Sequence, residues 1–255
     1  MTPVTDPLPL TEDDLAEPGL VAPGAMRTHG TSPPDVVLCF FPEAMAAFAE
    51  HAPETAVLHS ENGRSPVLAV TRPDGTEVGV VHPGVGAPMA VATLEEVIAL
   101  GGRRITAVGG AGVLVPELVL GHAVIVDSAV RDEGTSFHNL APGRTVDADP
   151  DGVAALVDRL HAADVAHTVG RTWTTDAVYR ETRGRTDRRR DEGCLTVEME
   201  AAALIAVARF RGVAFSQVLF AGDSLAGEEW DHRRWTTARE ARRALADVVV
   251  GVSPP

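Results

Sequence analysis

The sequence predicts an α/β fold in which helices cover both faces of a central sheet. Short apolar runs alternate with segments of helical spacing from residue 35 onward. The first run, 35–41, is almost continuously apolar, as expected for a strand buried on both faces. No internal repeat and no linker follows residue 35, so we expect one domain over 35–255. Residues 1–34, rich in Pro, Thr and acidic groups, are expected to form an extended arm.

The predicted elements alternate along the chain. Seven segments have the apolar runs and flanking turn residues of strands: 35–41, 65–71, 76–84, 104–112, 122–134, 165–176 and 213–230. The second and third of these form a hairpin across the turn RPDG. Four segments have helical spacing: 89–102, 149–164, the helix within GCLTVEMEAAAL at 193–204, and 236–252. The most charged stretch, 179–193, is expected to be a solvated face.

Composition and charge narrow the classes of function. The formal net charge of −14 argues against a nucleic-acid or membrane-surface binder, because both partners require a positive surface. Cys39 and Cys194 form no CxxC pair, so a reducing cytoplasm is the expected compartment. The amino terminus has no signal-peptide pattern, and no apolar run approaches the roughly 20 residues of a membrane span. The nine His residues form no metal-binding motif, so neither metal nor cofactor is expected.

Four strand exits are candidates for a ligand crevice, because ligands of α/β folds bind at the carboxyl ends of strands. They are HPGVGAP at 82–88, VGGAG at 108–112, VRDEGTSFH at 130–138 and FAGDSLAGEEWD at 220–231. The two glycine-rich segments expose backbone N–H groups that suit an anion, and they also fit ordinary turns. Neither matches the dinucleotide fingerprint or the P-loop pattern.

Acidic residues close to these exits have two interpretations. Glu198 and Glu200 stand on either side of Met199, immediately before an apolar helix. They either favour the dipole of that helix or hold a polar ligand against Met199. Asp223 follows a buried strand, where a desolvated acid can serve as a proton donor. It fits the role of a turn or N-cap residue equally well.

Seven segments then follow one another in a recognisable order: LPLTEDDL, HPGVGAP, VGGAGVL, SAVRDEG, TWTTDAVYRE, GCLTVEMEAAAL and AGDS. In this order they resemble the nucleoside phosphorylase family, which includes uridine phosphorylase, purine nucleoside phosphorylase and the methylthioadenosine/adenosylhomocysteine nucleosidases. The resemblance runs from residue 8 to about 225, and VEMEAA is its most specific part. It implies a three-layer α/β/α sandwich with a mixed central sheet, and cleavage of an N-glycosidic bond. It also implies a homodimer or homohexamer with active sites at subunit interfaces.

The resemblance implies roles for individual residues. Glu200 would bind the ribose hydroxyls, with Met199 beneath the sugar and Glu198 beside it. A carboxylate there stabilises the positive charge that develops on the sugar as the bond breaks. Asp223 would donate a proton to the base, so Asp223 and Glu200 are the expected catalytic residues. The other implied contacts are base-binding Val178, Tyr179 and Arg183, and phosphate-binding Arg64, Gly84 and Gly110.

Two parts of the chain depart from the family pattern. Thr182 and Gly184 stand where uridine phosphorylases carry the glutamine and arginine that read the pyrimidine. The first-strand exit FFPEAM has no arginine, and Ala107 replaces a second phosphate-binding arginine. A nucleoside and phosphate are still the expected substrates, because the arm and Arg64 match the uridine phosphorylase branch. Hydrolysis by water, with Glu43 near the nucleosidase glutamate, is one alternative, and a nucleoside-binding protein of reduced catalysis is the other.

Overall fold

The computed structural model describes residues 8–12, 14–25, 29–60 and 63–252, which contain eleven strands and six α-helices. In chain order they are β1 (His29–Gly30), β2 (Asp35–Cys39), α1 (Pro42–Ala49), β3 (Glu54–Ser60), β4 (Gly63–Thr71), β5 (Glu77–Val81), α2 (Ala87–Ala99), β6 (Arg104–Val113), β7 (Ala123–Asp132), β8 (Thr145–Asp147), α3 (Pro150–Ala162), β9 (His167–Thr175), α4 (Arg183–Asp191), β10 (Cys194–Glu198), α5 (Ala201–Arg211), β11 (Ala214–Ser224) and α6 (Arg239–Val250). Each predicted strand and helix overlaps an observed one.

The strands form one mixed sheet in the order β1-β3-β4-β5-β2-β6-β10-β9-β7-β11, and β8 pairs with β7. β11 also pairs with β6, so this half of the sheet closes on itself. β2 and β11 are both parallel to β6, so the carboxyl ends of these three strands share one edge. β10 runs antiparallel to β6, pairing Thr196 with Val113 and Val197 with Gly112. The residues that follow β10 therefore return along β6 toward Gly110.

Two hydrophobic cores lie on the two faces of this sheet. Because side chains alternate along a strand, Val36 and Leu38 enter one core, whereas Val37 and Cys39 enter the other. The first core includes buried residues of α2 and α5, and the second includes those of α1, α3 and α6. Helices thus cover both faces, and the predicted three-layer fold with a mixed sheet is confirmed.

α5 is an alanine-rich helix whose first eight residues are buried on every side. All residues from Ala201 to Ala208 are buried, as expected of a helix that is apolar all round. It packs against α2, β7 and β11. It ends at Gly212, whose φ of 66° is the left-handed conformation common at helix ends. α5 is therefore a rigid support for the residues that precede it.

The structure differs from the element prediction in several places. The pattern does not predict α1 or β3, because α1 is only eight residues long and β3 is buried at alternate positions only. Residues 194–198, expected only as the approach to a helix, form a strand because β6 and β9 pair with them on either side. The predicted turn at 108–112 is instead part of β6, which continues between β10 and β11.

The amino-terminal arm is described over 8–12, 14–25 and 29–34. It contains two single-turn 3-10 helices and the exposed strand β1, which pairs with β3. Parts of the predicted arm, at 1–7, 13 and 26–28, lie outside the described residues. The division into an arm and one domain stays a prediction. None of the described helices combines the length and apolar character required to cross a bilayer.

Candidate active site

A cavity of about 280 Å³ lies at the edge where β2, β6 and β11 end. Three of the four predicted strand exits line it, through Val85, the glycine-rich segment 109–112 and the pair 222–223. The fourth exit, VRDEGTSFH, supplies none of the described residues that line the cavity. Four lining residues are acids, Glu181, Glu198, Glu200 and Asp223, and none of those described is basic. This wall therefore carries unneutralised acidic groups.

The Glu198 carboxylate is directed into the protein. Its Oε1 accepts a hydrogen bond from the Thr174 hydroxyl at 2.6 Å. Its Oε2 accepts from the N–H groups of Glu200 and Ala201, both at 2.7 Å. These N–H groups open α5, so Glu198 caps that helix from the preceding strand. The geometry thus supports the helix-dipole interpretation for Glu198, whose ribose contact stays a prediction.

The Glu200 carboxylate joins two of the motifs. Its Oε1 accepts a hydrogen bond from the N–H of Gly86 at 2.6 Å, and its Oε2 accepts a longer one from Met199 N–H at 3.3 Å. Gly86 precedes α2 with a φ of 92°, a conformation that Gly adopts readily. Since a carboxylate offers about four acceptor positions, Glu200 keeps free lone pairs. Glu200 and Met199 both line the cavity, where their ribose-binding roles stay predictions.

Glu198 and Glu200 are two buried acids that influence each other's ionisation. Burial raises the pKa of Glu198 to about 8, and the charge of Glu200 adds to the effect. Burial also raises the pKa of Glu200 to about 7, although N–H donors from Gly86 and Met199 oppose it. The protons of such a pair leave in steps that belong to both groups. A ligand with hydroxyl donors suits this wall, because it supplies the hydrogen bonds that burial removes.

Asp223 lies within β11, one residue before its end, and not at the N-cap of a helix. Its Oδ2 accepts a hydrogen bond from the indole N–H of Trp230 at 2.6 Å. Its Oδ1 lies 3.8 Å from the position that a Cβ on Gly112 would occupy. The N-cap interpretation of Asp223 is therefore wrong, and the role of Asp223 as a proton donor stays a prediction.

Glu181 is a lining acid that sequence reasoning missed. It is partly buried, and burial, followed by the negative charge of Asp223, raises its pKa to about 7. Glu181 is the last residue of the motif TWTTDAVYRE, but it also stands in the charged run 179–193 and therefore resembles a solvated residue. The cavity thus brings together two acids, Glu181 and Asp223, from different parts of the chain.

Two aromatic side chains of the cavity wall were also missed. Phe40, directly after β2, contacts the His82 ring edge-on, with ring centroids 6.3 Å apart. Trp235 lies under the guanidinium of Arg242, 5.3 Å from its ring centroid. Arg242 also forms an ion pair with Glu43 at 2.5 Å. Glu43 is therefore neutralised and does not line the cavity, which removes it as the expected activator of water.

The predicted base-binding residues do not all lie in the cavity. Val178 lines the cavity, whereas Tyr179 is 97 % exposed and is not part of the wall. Arg183 donates to the carbonyl oxygens of Leu225 and Glu228, and so holds the loop after β11. These contacts give Arg183 a structural role, and its base contact stays a prediction.

The predicted phosphate-binding residues also separate. Gly110 lines the cavity, and a Cβ there would meet no atom within 4 Å. Gly84 has a φ of 82°, and a Cβ there would collide with Met89. Arg64 lies outside the cavity on the exposed β3–β4 hairpin and pairs with Glu54. A phosphate role for Arg64 thus requires a neighbouring copy of the chain, and it stays a prediction.

Comparison with known proteins identifies the family. The sequence model described as "Phosphorylase superfamily" matches residues 34–252. The chain is 31 % identical over 140 residues to guanosine phosphorylase of Halorubrum lacusprofundi, covering 55 % of this chain and 58 % of the relative. It is 28 % identical over 152 residues to uridine phosphorylase of Thermococcus kodakarensis, covering 54 % and 55 %. The match therefore spans little more than half the length of these two relatives.

A third relative is matched over more of its length. It is the DeoD-type purine nucleoside phosphorylase of Exiguobacterium sibiricum, 31 % identical over 180 residues, with 69 % of this chain and 73 % of the relative covered. Purine nucleoside phosphorylase of Toxoplasma gondii, solved with immucillin-H, superposes with a TM-score of 0.71 at 22 % identity, covering 86 % and 91 %. Uridine phosphorylase of Vibrio fischeri superposes with a TM-score of 0.70 at 23 % identity, covering 86 % and 90 %. These two structures share the fold, and the resemblance drawn from the motifs is confirmed. The chain belongs to the phosphorylase superfamily.

Proposed function

We propose that the protein cleaves the N-glycosidic bond of a nucleoside with phosphate, giving free base and ribose 1-phosphate. One observation carries the proposal: a single cavity combines the buried carboxylate of Glu200, beside Met199, with the carboxyl of Asp223. The first suits a sugar diol and the second suits a leaving base. Family membership over residues 34–252 agrees with this chemistry.

The reaction assigns a task to each group. A phosphate oxygen forms a bond to C1′ of the ribose as the bond from C1′ to the base nitrogen breaks. The electron pair of the broken bond moves to the base, which takes a proton from Asp223. Positive charge develops on the sugar meanwhile, and the Glu200 carboxylate stabilises it while accepting hydrogen bonds from the hydroxyls. Glu198 holds Glu200 in place by capping the start of α5.

Phosphate needs cations that the described wall of this cavity does not supply. All 22 basic residues of the chain are Arg. Arg131, a candidate replacement, is buried and donates to Ser136 Oγ and to the carbonyls of Leu140 and Ala141. Arg64 on its exposed hairpin is free to approach a neighbouring subunit. The proposal therefore includes a homodimer or homohexamer in which Arg64 completes the partner's phosphate site.

Hydrolysis by water is a second candidate, favoured by the absence of basic residues from the described cavity wall. A water molecule requires no cation, and an acid of the wall could accept its proton. Glu43 is not that acid, because Arg242 neutralises it outside the cavity. A nucleoside-binding protein without turnover is the third candidate.

The deciding experiment measures release of free base from uridine, thymidine, inosine, adenosine and methylthioadenosine, each with and without phosphate. Phosphorolysis predicts that base appears only with phosphate and that ribose 1-phosphate accumulates. Arg64→Ala should then raise the KM for phosphate, while Glu54→Ala, which removes only its surface partner, should not. Base release independent of phosphate would establish hydrolysis. Nucleoside binding without release of base under either condition would establish the binding protein.

A further inference from the structure

The proposed mechanism leaves one acid of the cavity without a task. Glu181 lines the cavity and also a small neighbouring recess formed with Arg183, Thr186, Leu225, Glu228 and Trp230. Within the described part of the chain, no group donates a hydrogen bond to its carboxylate, and Asp223 is the charged neighbour that acts on it. An acid in a cavity wall whose carboxylate accepts no hydrogen bond from the protein is a candidate for recognising a ligand.

The backbone around Glu181 is held in place although its carboxylate is not bonded. Its N–H donates to the carbonyl of Val178, which closes a single 3-10 turn. α4 begins two residues later, and Arg183 in its first turn ties the helix to the loop after β11. Glu181 is thus presented to the cavity from a fixed backbone, as a residue that sets specificity requires.

Asp223 is arranged differently from Glu181. Its Oδ2 already accepts a hydrogen bond from the Trp230 indole N–H, whereas its Oδ1 lies beside Gly112 in the cavity wall. In the proposed reaction Asp223 gives a proton to the base, whereas the Glu181 carboxylate offers only acceptor positions. Such a pair offers one donor and one acceptor side by side.

Nucleobases differ in whether they match that pattern. The N7 edge of adenine presents an acceptor, N7, next to a donor, the 6-amino group. The same edge of a 6-oxopurine presents two acceptors, N7 and O6. Uracil has no N7 that could take a proton from Asp223. Thr182 and Gly184 also stand where uridine phosphorylases carry the glutamine and arginine that recognise the pyrimidine. Of these bases, only the 6-aminopurine matches one donor and one acceptor.

We propose that Glu181 is a specificity-determining residue that accepts a hydrogen bond from the 6-amino group of a purine whose N7 faces Asp223, so that the cavity selects 6-aminopurine nucleosides. This inference rests on the proposed function. In the reaction, the proton moves from the Asp223 carboxyl to N7 as the bond from C1′ to N9 breaks. The Glu181 carboxylate keeps its charge and its hydrogen bond throughout.

The test compares kcat/KM for adenosine and inosine in the full-length protein, Glu181→Gln and the control Glu228→Gln. Glu228 borders the neighbouring recess and contacts Arg183 through its carbonyl only, so its side chain is not part of the cavity wall. The unchanged protein and the control should favour adenosine by about tenfold or more. An amide at position 181 can donate to O6, so Glu181→Gln should shift the ratio toward inosine by about 10- to 100-fold. An adenosine-to-inosine ratio equal in all three proteins would overturn the inference.

Failure of the proposed function gives a different result. If no nucleoside releases base under any condition, binding of adenine and hypoxanthine is measured by calorimetry in the same three proteins. Tighter binding of adenine that is lost in Glu181→Gln alone would uphold the role of Glu181. Equal binding of the two bases, or a preference unaffected by Glu181→Gln, would overturn it.

Discussion

The two ends of the central sheet differ in the surroundings of their acidic side chains. At the carboxyl ends of β2, β6 and β11, the cavity is lined by four acids and by no described basic residue. At the amino ends of the same strands lies a second cavity, also of about 280 Å³, where Asp35 pairs with Arg72 at 2.9 Å and with Arg104. Arg159 lines this cavity too and donates to the Val249 carbonyl. Asp35 thus has two arginine partners at one end, whereas no described basic residue lines the cavity beside the four acids at the other.

The pKa shifts follow this difference. Burial opposes ionisation of Asp35, but hydrogen bonds and charges from Arg104 and Arg72 outweigh it, and its pKa is lowered. Burial dominates for Glu181, Glu198 and Glu200, and their pKa values rise to between about 7 and about 8. A charged group with a structural role is usually paired with an opposite charge. A group that binds a ligand is more often left without such a partner, so its pKa stays shifted. The comparison teaches that burial raises the pKa of an acid when no arginine partner opposes it, as Arg72 and Arg104 do for Asp35.

The largest expected effect is at Glu200. Glu200→Ala should lower kcat/KM by about 30- to 1000-fold, because a charged hydrogen-bond network of about 2–4 kcal/mol is lost in the ribose site. Steady-state kinetics measure the change, and thermal unfolding should show that the fold persists. A kcat/KM within twofold of the unchanged protein would remove Glu200 from the sugar site and leave it as a structural partner of Gly86.

The pH dependence of stability should differ between the two ends. Glu198 and Glu200 have pKa values raised above the ordinary value of 4.5, so the native state holds protons that the unfolded chain releases. Stability should therefore fall as pH rises from about 4.5 to about 8. The pKa of Asp35 is lowered, so its contribution is present above 3.8 and is lost as pH falls further.

Urea unfolding between pH 4 and pH 9 measures this dependence. Glu198→Gln removes one of the two titrating groups, and the loss of stability toward pH 8 should become shallower. Glu54→Gln, on the surface, serves as the control and should leave that slope unchanged. An identical slope in Glu198→Gln and the unchanged protein would contradict the raised pKa of Glu198.

A smaller effect is expected at the opposite end of the sheet. Asp35→Asn leaves Arg72 and Arg104 without their carboxylate, and the free energy of unfolding should fall by about 1 kcal/mol because solvent screens this partly exposed cluster. kcat/KM should not change, since Asp35 lies at the far ends of the strands. Denaturant titration and kinetics on the same preparation check both parts. A large loss of activity without loss of stability would show that the two ends are coupled.

The smallest effect concerns the surface pair of Arg64 and Glu54. Both side chains are solvent-exposed, so Glu54→Gln should leave the midpoint of thermal unfolding unchanged within error. Calorimetry checks this expectation. A clear drop in the midpoint would show that this hairpin is buried in an assembly, and would strengthen the proposed contribution of Arg64 to a neighbouring site.

The sequence predicted more of the fold than of the site. Long periodic elements such as α3 and β7 were correct because local pattern and tertiary burial agree there. The strand at 194–198 was missed because its pairing with β6 and β9 is non-local, while the alanines after it dominate the pattern. Motif order identified Met199, Glu200 and Asp223 as residues of one cavity.

The rest of the site depends on side-chain direction, which spacing does not encode. Arg183 and Glu181 stand two residues apart in one charged run, yet Arg183 contacts carbonyls outside the cavity and Glu181 lines it. Phe40 follows β2 and Trp235 begins a 3-10 turn, and their positions depend on packing against His82 and Arg242. None of these four placements follows from a local pattern.

The capped start of α5 has a consequence for how the protein opens. The N–H groups of Glu200, Ala201 and Ala202 donate to the buried acceptors of Glu198 and Thr174, and the helix behind them is enclosed on all sides. Exchange of these amide hydrogens with deuterated solvent then requires unfolding of the whole core. The exposed loop 226–234 can exchange through small local openings instead. The start of α5 is therefore expected to exchange its amide hydrogens far more slowly than that loop.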